Sequence, residues 1–190
     1  MPEYYLDIET DTRGLKPDHE NDEILTIQFQ RLESKTGGKE GDLIILKSWE
    51  SSEKDVLERF YSIFSPDDSW KFVPIGLNLS LDFFSLHYRW KRIGIEVPLR
   101  ILFDEHPYID IKPILVIFNR GSFKGANLQK FTGKEHSGIE ISEWYAKKDY
   151  AAIEEYIKDE ADKFIKLYQF SKQRFPDMWL EFAKASKILT

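Results

Sequence analysis

The sequence predicts an α/β fold in which helices flank one mixed sheet. Three short apolar segments suited to strands come first, at residues 4–6, 24–29 and 43–46, and the third follows a Gly-Gly turn in hairpin fashion. A helix, a strand and a second helix then follow between residues 53 and 93. Consecutive strands followed by alternating helices and strands are typical of an α/β fold with a mixed sheet.

The predicted strands differ in their patterns. The first, Tyr4-Tyr5-Leu6, is a short apolar run, whereas in the second, residues 24–29, polar Thr26 and Gln28 alternate with apolar neighbours. Alternation with a period of two is the pattern of a strand whose two faces differ. The remaining predicted strands are residues 43–46, 72–75 and 108–111.

Helices are predicted where apolar residues recur every three or four positions. Ser51-Ser52-Glu53 opens the first of them, and Pro66 lies just past its end. Further helices are predicted at residues 79–93, 127–131, 139–144 and 149–170. Residues 114–118 fit either a helix or a strand. Pro176 is expected to break the chain, and a final helix is predicted at residues 179–189.

Length and composition predict a single domain over residues 1–190. The absence of cysteine excludes disulfides, thiolate metal sites and cysteine nucleophiles. A metal site must therefore use oxygen ligands or one of four histidines, which show no metal-ligand spacing. No apolar run approaches the roughly 20 residues of a membrane span, and no signal peptide pattern opens the chain, so we expect a cytoplasmic protein without membrane contact.

Charge is unevenly distributed along the chain. The net charge of −6 disfavours a general nucleic-acid coat protein, because Lys and Arg contacts to phosphate supply most non-specific affinity. Residues 71–134, however, contain 10 Lys and Arg against 5 acids, and residues 112–134 contain no acid. A second basic cluster, at residues 89–100, is interleaved with Tyr88 and Trp90. Each basic segment is either a solvated surface or a surface that follows phosphates, with aromatic platforms for bases.

Asp7-Ile8-Glu9, at the end of the first predicted strand, places two acids two residues apart. Side chains at this spacing point to the same face of a strand, about 7 Å apart along it. Like charges held there repel, and a divalent cation between them is the usual remedy. A solvated strand end is the alternative interpretation of this pair taken alone.

Two further polar groups lie where helices are predicted. Asn78 and Asp82 follow the fourth strand, where open α/β sheets form their sites. Asn78 is expected to cap the helix that begins at Leu79, and Asp82 to project from its first turns. In the long C-terminal helix, Tyr156 and Glu160 are four residues apart and share one face. Each group alone is also compatible with a structural role.

In this order, the three patterns resemble the motifs of the DEDD (DnaQ-like) superfamily of 3′-to-5′ exonucleases. Asp7-Ile8-Glu9-Thr10 resembles the first motif, residues 76–86 resemble the second, and Tyr156 four residues before an acid resembles the tyrosine subclass. Residues 108–111 and 127–133 are similar to the exonuclease domain of family B DNA polymerases.

The resemblance covers about residues 3–170 and leaves residues 171–190 as a helical extension. It implies a ribonuclease H-like fold, with a mixed five-stranded sheet flanked by helices. It also implies hydrolysis of phosphodiester bonds in single-stranded DNA or at frayed 3′ ends by a two-metal mechanism, with two Mg²⁺ or Mn²⁺ ions as cofactors. The implied partners are nucleic acid and, beyond it, replication or DNA repair proteins.

The resemblance also assigns roles to single residues. The acids that it implies as catalytic and metal-binding are Asp7, Glu9, Asp82 and Glu160. Tyr156 is implied as a further catalytic residue, which orients water through a hydrogen bond more readily than it acts as a free base, because a phenol has a pKa of about 10. Asn78 and Thr10 are implied to bind substrate.

One position departs from the family's pattern. The family has Asp four residues after the tyrosine, whereas this chain has Glu160 there, preceded by Asp159. Asp159 would lie about 100° away from the face of Tyr156, so Glu160 is favoured as the fourth acid. The departure leaves open a catalytically weakened nucleic-acid-binding module of the same fold. An RNA exonuclease and a structure-specific endonuclease are further alternatives.

Overall fold

The computed structural model of the chain contains one five-stranded sheet. It describes residues 1–12, 17–133, 135–136 and 138–185, with the backbone alone at residues 178 and 182–185. The strands are β1 (Glu3–Thr10), β2 (Ile24–Leu32), β3 (Lys39–Lys47), β4 (Val73–Gly76) and β5 (Ile109–Asp110). All the strands predicted from the sequence are present, and β1 and β3 run beyond the apolar segments that predicted them.

The sheet is mixed, as the sequence predicts. Its strand order is β3-β2-β1-β4-β5. The first three strands pair antiparallel, whereas β4 pairs parallel with both β1 and β5. Two parallel strands need a long connection between them, usually with a helix. One helix lies between β1 and β4 in the chain, and another lies between β4 and β5. The predicted fold class, an α/β fold with a mixed five-stranded sheet flanked by helices, is confirmed.

The structure describes six α-helices. They are α1 (Glu53–Phe64), α2 (Leu79–Arg92), α3 (Lys112–Phe118), α4 (Leu128–Thr132), α5 (Ile139–Ala146) and α6 (Tyr150–Ala185). Residues 114–118, which fit either a helix or a strand, lie in α3. Among the described residues, none of the helices combines the length and the apolarity that a membrane crossing requires.

The prediction that Pro176 breaks the chain is wrong, because α6 continues through it. Proline inside a helix leaves the carbonyl four residues earlier without its usual donor. Here Gln173, Arg174 and Pro176 are exposed, so water can reach that turn and bond to the carbonyl. The first residues of the predicted final helix, 179–185, belong to the end of α6, and its last residues, 186–189, lie outside the described part of the chain.

Side chains alternate between the two faces along each strand, so both faces of the sheet carry apolar residues. Helices cover both faces. On one face, α1 and α2 pack against Leu6 and its neighbours. On the other face, Phe164 of α6 packs against Tyr5, with ring centroids 4.9 Å apart. Asp7 and Glu9 follow Tyr5 with a period of two, so they lie on the α6 face of β1.

A buried polar contact sets the position of α6 along β1. Glu3, 7% exposed, accepts hydrogen bonds from the Tyr168 hydroxyl at 3.0 Å and from Lys172 Nζ at 2.8 Å. From Glu3 to Glu9, β1 advances about 20 Å at about 3.3 Å per residue. From Tyr168 back to Tyr156, α6 covers about 18 Å at about 1.5 Å per residue. The Tyr156 turn of α6 is thereby brought to the Glu9 end of β1.

Candidate active site

A cleft of about 480 Å³ lies where β1 and β4 end. Its walls come from the end of β1, the loop before β2, and the first residues of α2 and α5. The polar residues on these walls are Asp7, Glu9, Thr10, Thr12, His19, Asn78, Asp82 and Ser85. Open α/β sheets commonly bind ligands at strand ends, and the volume is that of a small-ligand site.

Three of the predicted acids, Asp7, Glu9 and Glu160, lie close together. One carboxylate oxygen from each lies within 4.8 Å of the others. Asp7 and Glu9 share a face of β1, as the strand period predicts, and Glu160 joins them from α6. Carboxylates this close repel one another unless they share a cation. A ligand set made only of oxygens suits Mg²⁺ or Mn²⁺, so the residues present fit such a metal.

The structure separates the two candidates for the fourth acid. The Asp159 side chain is 47% exposed and accepts a hydrogen bond from Lys163 at 2.8 Å. Glu160, the next residue, is the one that reaches Asp7 and Glu9. A rotation of about 100° per residue around a helix accounts for the difference.

Asp82 lines the same cleft from the first turn of α2 and is buried. Burial raises the pKa of this carboxyl well above its ordinary value, and the charges of Asp7, Asp110 and Glu160 raise it further. Asp82 therefore lies close enough to the other acids for repulsion to matter, although the group within 4.8 Å is formed without it. A cation in the cleft would favour its ionised form by supplying the opposite charge.

The turn from β4 into α2 sets the direction of this wall. A Cβ atom at Gly76 would lie 2.8 Å from the Leu6 carbonyl oxygen, so glycine is needed for the close approach. The Asn78 backbone N–H donates to Asp110 Oδ1 at 2.8 Å. The backbone of Asn78 is in the left-handed helical conformation, with φ 68°. Asn78 stands at the N-cap position of α2, but the predicted capping bond is absent, because a cap requires an extended backbone there. The residue lines the cleft instead.

The Tyr156 hydroxyl and the Glu9 carboxylate both lie close to Gly138. A Cβ atom added to Gly138 would be 3.7 Å from Glu9 Oε2 and 3.7 Å from the Tyr156 hydroxyl oxygen. Burial raises the pKa of Tyr156 far above its ordinary value, and the charges of Glu9 and Glu160 and a hydrogen bond with the Glu160 side chain raise it further. The phenol therefore stays protonated at neutral pH, where it can orient a neighbouring group through a hydrogen bond but cannot act as a free base.

A buried polar network lies behind Asp7. Gln28 Nε2 donates to Asp7 Oδ2 at 2.8 Å, and the Thr26 hydroxyl donates to Gln28 Oε1 at 2.8 Å. The Tyr5 hydroxyl lies 3.4 Å from the same Asp7 oxygen. In the sequence, the alternation of Thr26 and Gln28 with apolar residues predicts a strand. The same pattern is a signal for such a network, since polar side chains on a buried face need partners.

Two further cleft residues, His19 and Ser85, carry no signal in the sequence. His19 Nδ1 is 3.0 Å from the Ser85 hydroxyl, and both residues line the cleft. Only the fold brings the loop that carries His19 against α2, because the two residues are 66 positions apart. Thr10, predicted to bind substrate, lines the cleft too, and its hydroxyl lies 3.1 Å from that of Thr12.

Two residues of the basic cluster at residues 89–100 are buried, and the sequence suggests one of them, Trp90, as an aromatic platform. Arg89 is buried and forms an ion pair with Glu53. Trp90 is fully buried, and its Nε1 donates to the Leu57 carbonyl at 3.1 Å, so it cannot stack on a base. That interpretation of Trp90 is wrong, and these two residues have structural roles.

The basic segment at residues 112–134 is only partly used inside the protein. Lys112 donates to a backbone carbonyl at 2.7 Å, and Lys130 to an asparagine side chain at 2.6 Å. Arg120 and Lys124 are exposed, and Lys134 lies outside the described residues.

Solved structures share the fold of this chain. A family B DNA polymerase from the hyperthermophilic archaeon Pyrobaculum calidifontis matches with a TM-score of 0.65 at 15% identity, over 93% of this chain and 25% of that chain. The zinc-bound form of the E. coli exonuclease I complex with single-stranded DNA matches with a TM-score of 0.63 at 15% identity, over 93% of this chain and 41% of that chain. E. coli exonuclease I with a dT13 oligonucleotide matches with a TM-score of 0.60 at 15% identity, over 94% and 42%.

The likeness is one of fold. No protein-family model matches the sequence, and no curated protein matches it either. At 15% identity the solved structures establish a common architecture, and this chain spans between 25% and 42% of their lengths. Because one fold can carry many activities, function must be argued from the acids in the cleft.

Proposed function

We propose that the chain is a metal-dependent 3′-to-5′ exonuclease that hydrolyses phosphodiester bonds of single-stranded DNA or of frayed 3′ ends. The observation that carries the proposal is the meeting of Asp7, Glu9 and Glu160 within 4.8 Å, at a cleft that Asp82 also lines. The fold supports it, because solved complexes of E. coli exonuclease I with this fold contain an oligonucleotide and, in one form, a zinc ion.

The proposed ligands of two Mg²⁺ or Mn²⁺ ions are Asp7, Glu9, Asp82 and Glu160. When bound, the ions supply a hydroxide at neutral pH and stabilise the leaving 3′ oxygen. Asp7 belongs to the group of three acids, and its charge also acts on Asp82, so these two aspartates would be the ligands available to both ions. Glu9 on β1 and Glu160 on α6 would complete the set.

The remaining residues of the proposed site bind the substrate or orient it and the attacking water. Tyr156 keeps its proton and orients the attacking water through its hydroxyl. Asn78 and Thr10 line the cleft and offer polar groups to the terminal nucleotide. Leu81 and Ile139, 41% and 83% exposed, offer it an apolar surface. A cleft of about 480 Å³ suits one nucleotide rather than a duplex, which favours a single-stranded end.

A catalytically weakened nucleic-acid-binding module is the second candidate, because Glu160 stands where the resembled family has Asp. The longer side chain still brings its carboxylate oxygen to Asp7 and Glu9, which favours hydrolysis over binding alone. RNA is the alternative substrate, since discrimination depends on contacts to the 2′-hydroxyl.

Labelled single-stranded DNA and RNA of one sequence test the proposal. We expect the purified chain to release 5′ mononucleotides from DNA in Mg²⁺ or Mn²⁺, and EDTA to abolish the release. Asp82→Ala should lower the rate by roughly 100-fold or more, since it removes a carboxylate that stabilises the reacting charges. Asp159→Ala, which removes an exposed acid next to Glu160, is the matched control and should leave the rate unchanged.

The outcomes separate the candidates. A metal-replete sample that degrades neither polymer would contradict the proposal. Tight Mn²⁺ binding without turnover would favour the binding module, and faster cleavage of RNA would favour an RNA exonuclease. Cleavage of circular single-stranded DNA would indicate an endonuclease.

A further inference from the structure

Gln28 is a fully buried polar residue of β2 and lies directly opposite Asp7 of the neighbouring strand β1. The antiparallel pairing of β1 and β2 sets these two residues opposite each other, and it sets Thr26 opposite Glu9. Gln28 and Thr26 are each 0% exposed. Opposite residues in such a pair have neighbouring side chains on one face of the sheet. The acids of β1 therefore lie against the polar face of β2.

The orientation of the Gln28 amide is determined by its partners. Its Oε1 lies 2.8 Å from the Thr26 hydroxyl and can only accept, so the hydroxyl donates. Its Nε2 then faces Asp7 Oδ2 at 2.8 Å and donates to it. A flipped amide would set two acceptors against each other at Asp7. The network therefore has one direction, from Thr26 through Gln28 to Asp7.

Two donors meet at the same carboxylate oxygen. The Tyr5 hydroxyl, on the strand that carries Asp7, lies 3.4 Å from Asp7 Oδ2. A phenol is protonated at neutral pH, so this hydroxyl can donate a hydrogen bond. Hydrogen bonds to one oxygen of a carboxylate restrict the rotation of the whole group and leave its second oxygen for another partner.

We infer that Gln28, backed by Thr26, is a positioning residue that holds Asp7 Oδ2 on the protein side and presents Oδ1 to a divalent cation in the cleft. The inference rests on the proposed metal site and deepens it. According to this inference, the metal affinity of the site depends on Gln28, a neutral residue of β2, as well as on the acids of β1 and α6. Partners behind a metal ligand typically contribute about 10- to 100-fold in metal affinity or activity.

Gln28→Met tests the inference, because methionine keeps the length of the side chain and removes the donor. We expect the Kd for Mn²⁺, measured by calorimetric titration and by the electron paramagnetic resonance signal of bound Mn²⁺ without nucleic acid, to rise at least about 10-fold. In the hydrolysis assay, the Mn²⁺ concentration for half-maximal rate should rise equally, while KM for the oligonucleotide stays unchanged. Excess Mn²⁺ should restore the rate.

Gln30→Met is the matched control. Gln30 is on the same strand and the same face, is 5% exposed, and donates from Nε2 to the Gly41 carbonyl at 2.6 Å, away from the acids. Its substitution should leave the Kd for Mn²⁺ unchanged. Thr26→Val combined with Gln28→Met guards against misfolding, because it leaves no buried hydroxyl without an acceptor. The double variant should fold and bind Mn²⁺ as weakly as Gln28→Met.

The metal titration keeps the inference separate from the proposed function. A wild-type chain that binds Mn²⁺ without cleaving nucleic acid would overturn the exonuclease and still test Gln28. Wild-type Mn²⁺ affinity in folded Gln28→Met, or an equal loss in Gln30→Met, would overturn the role of Gln28. A wild-type chain that binds no Mn²⁺ would overturn both.

Discussion

The fold raises the pKa of the Asp82 carboxyl, and the effect on stability can be measured. Its folded pKa is raised by burial and by neighbouring acids, so the folded chain holds this proton more tightly than the unfolded chain does. Ionisation at neutral pH therefore costs stability. The cost is absent below the unfolded pKa of about 3.9 and grows as pH rises toward the folded pKa.

Asp82→Asn should therefore stabilise the metal-free chain at neutral pH. We expect its Tm in EDTA to exceed that of the wild type at about pH 7, by about 2–4 °C for each kcal/mol of repulsion and desolvation removed. The difference should shrink as the pH falls toward about 4. Calorimetric scans across this range measure it. Asp159→Asn, at an exposed position, should show no such gain, and a variant less stable than the wild type at pH 7 would contradict the assignment.

Tyr156 should act through its hydroxyl and not through its ionisation. Tyr156→Phe removes the hydroxyl, and we expect kcat to fall by about 100-fold, with KM for the oligonucleotide within about twofold. Because the wild-type phenol stays protonated, the pH profile of the variant should be lower but unchanged in shape. Tyr150→Phe is the control, since this tyrosine of α6 stacks on Trp49 with ring centroids 4.8 Å apart. A changed pH profile in Tyr156→Phe would indicate that the phenol ionises.

The position of α6 against the sheet depends on Glu3, at the opposite end of β1 from the cleft. Lys172→Met leaves buried Glu3 without its charged donor, and we expect a loss of about 1–3 kcal/mol in the free energy of unfolding. Lys39→Met removes another lysine paired with α6, through Asp162, but those side chains are 47% and 50% exposed. That substitution should cost no more than about 1 kcal/mol.

Urea denaturation compares the two lysine variants. Equal losses would mean that Glu3 does not anchor α6. A larger loss in Lys172→Met, together with weaker Mn²⁺ binding, would show that this contact aligns Glu160 with Asp7, because β1 and α6 each connect the Glu3 contact with the acids.

The whole molecule should gain stability from a divalent cation, since its folded state brings like charges together. At Mn²⁺ concentrations of about 100 times Kd, the free energy of unfolding should rise by about 2.7 kcal/mol. For a chain of this size, that corresponds to about 5–10 °C in Tm. Thermal scans with and without Mn²⁺ measure the shift, which Asp7→Asn combined with Glu9→Gln should abolish. A shift of equal size in that variant would place the cation elsewhere.

Much of the fold follows from local patterns. The period of two in β2 and the apolar spacing of α1 and α2 depend only on neighbours in the chain, so the sequence predicts them. Pro176 is the exception, because the local rule against proline in a helix holds less strongly at an exposed turn. Trp90 is a second exception, because its basic neighbours suggest an exposed position, whereas its ring is buried in the core.

In the candidate site, spacing along one element predicts that Asp7 and Glu9 share a face, and that Tyr156 and Glu160 do so too. These relations follow from the strand and helix periods, which every residue carries with it. Other features of the site depend on the folded chain. They are the proximity of Glu160 to Asp7, the exposure of Asp159, and the hydrogen bonds of Gln28 and His19. They depend on strand register and on how α6 is anchored, and both arise from packing between residues far apart in the chain.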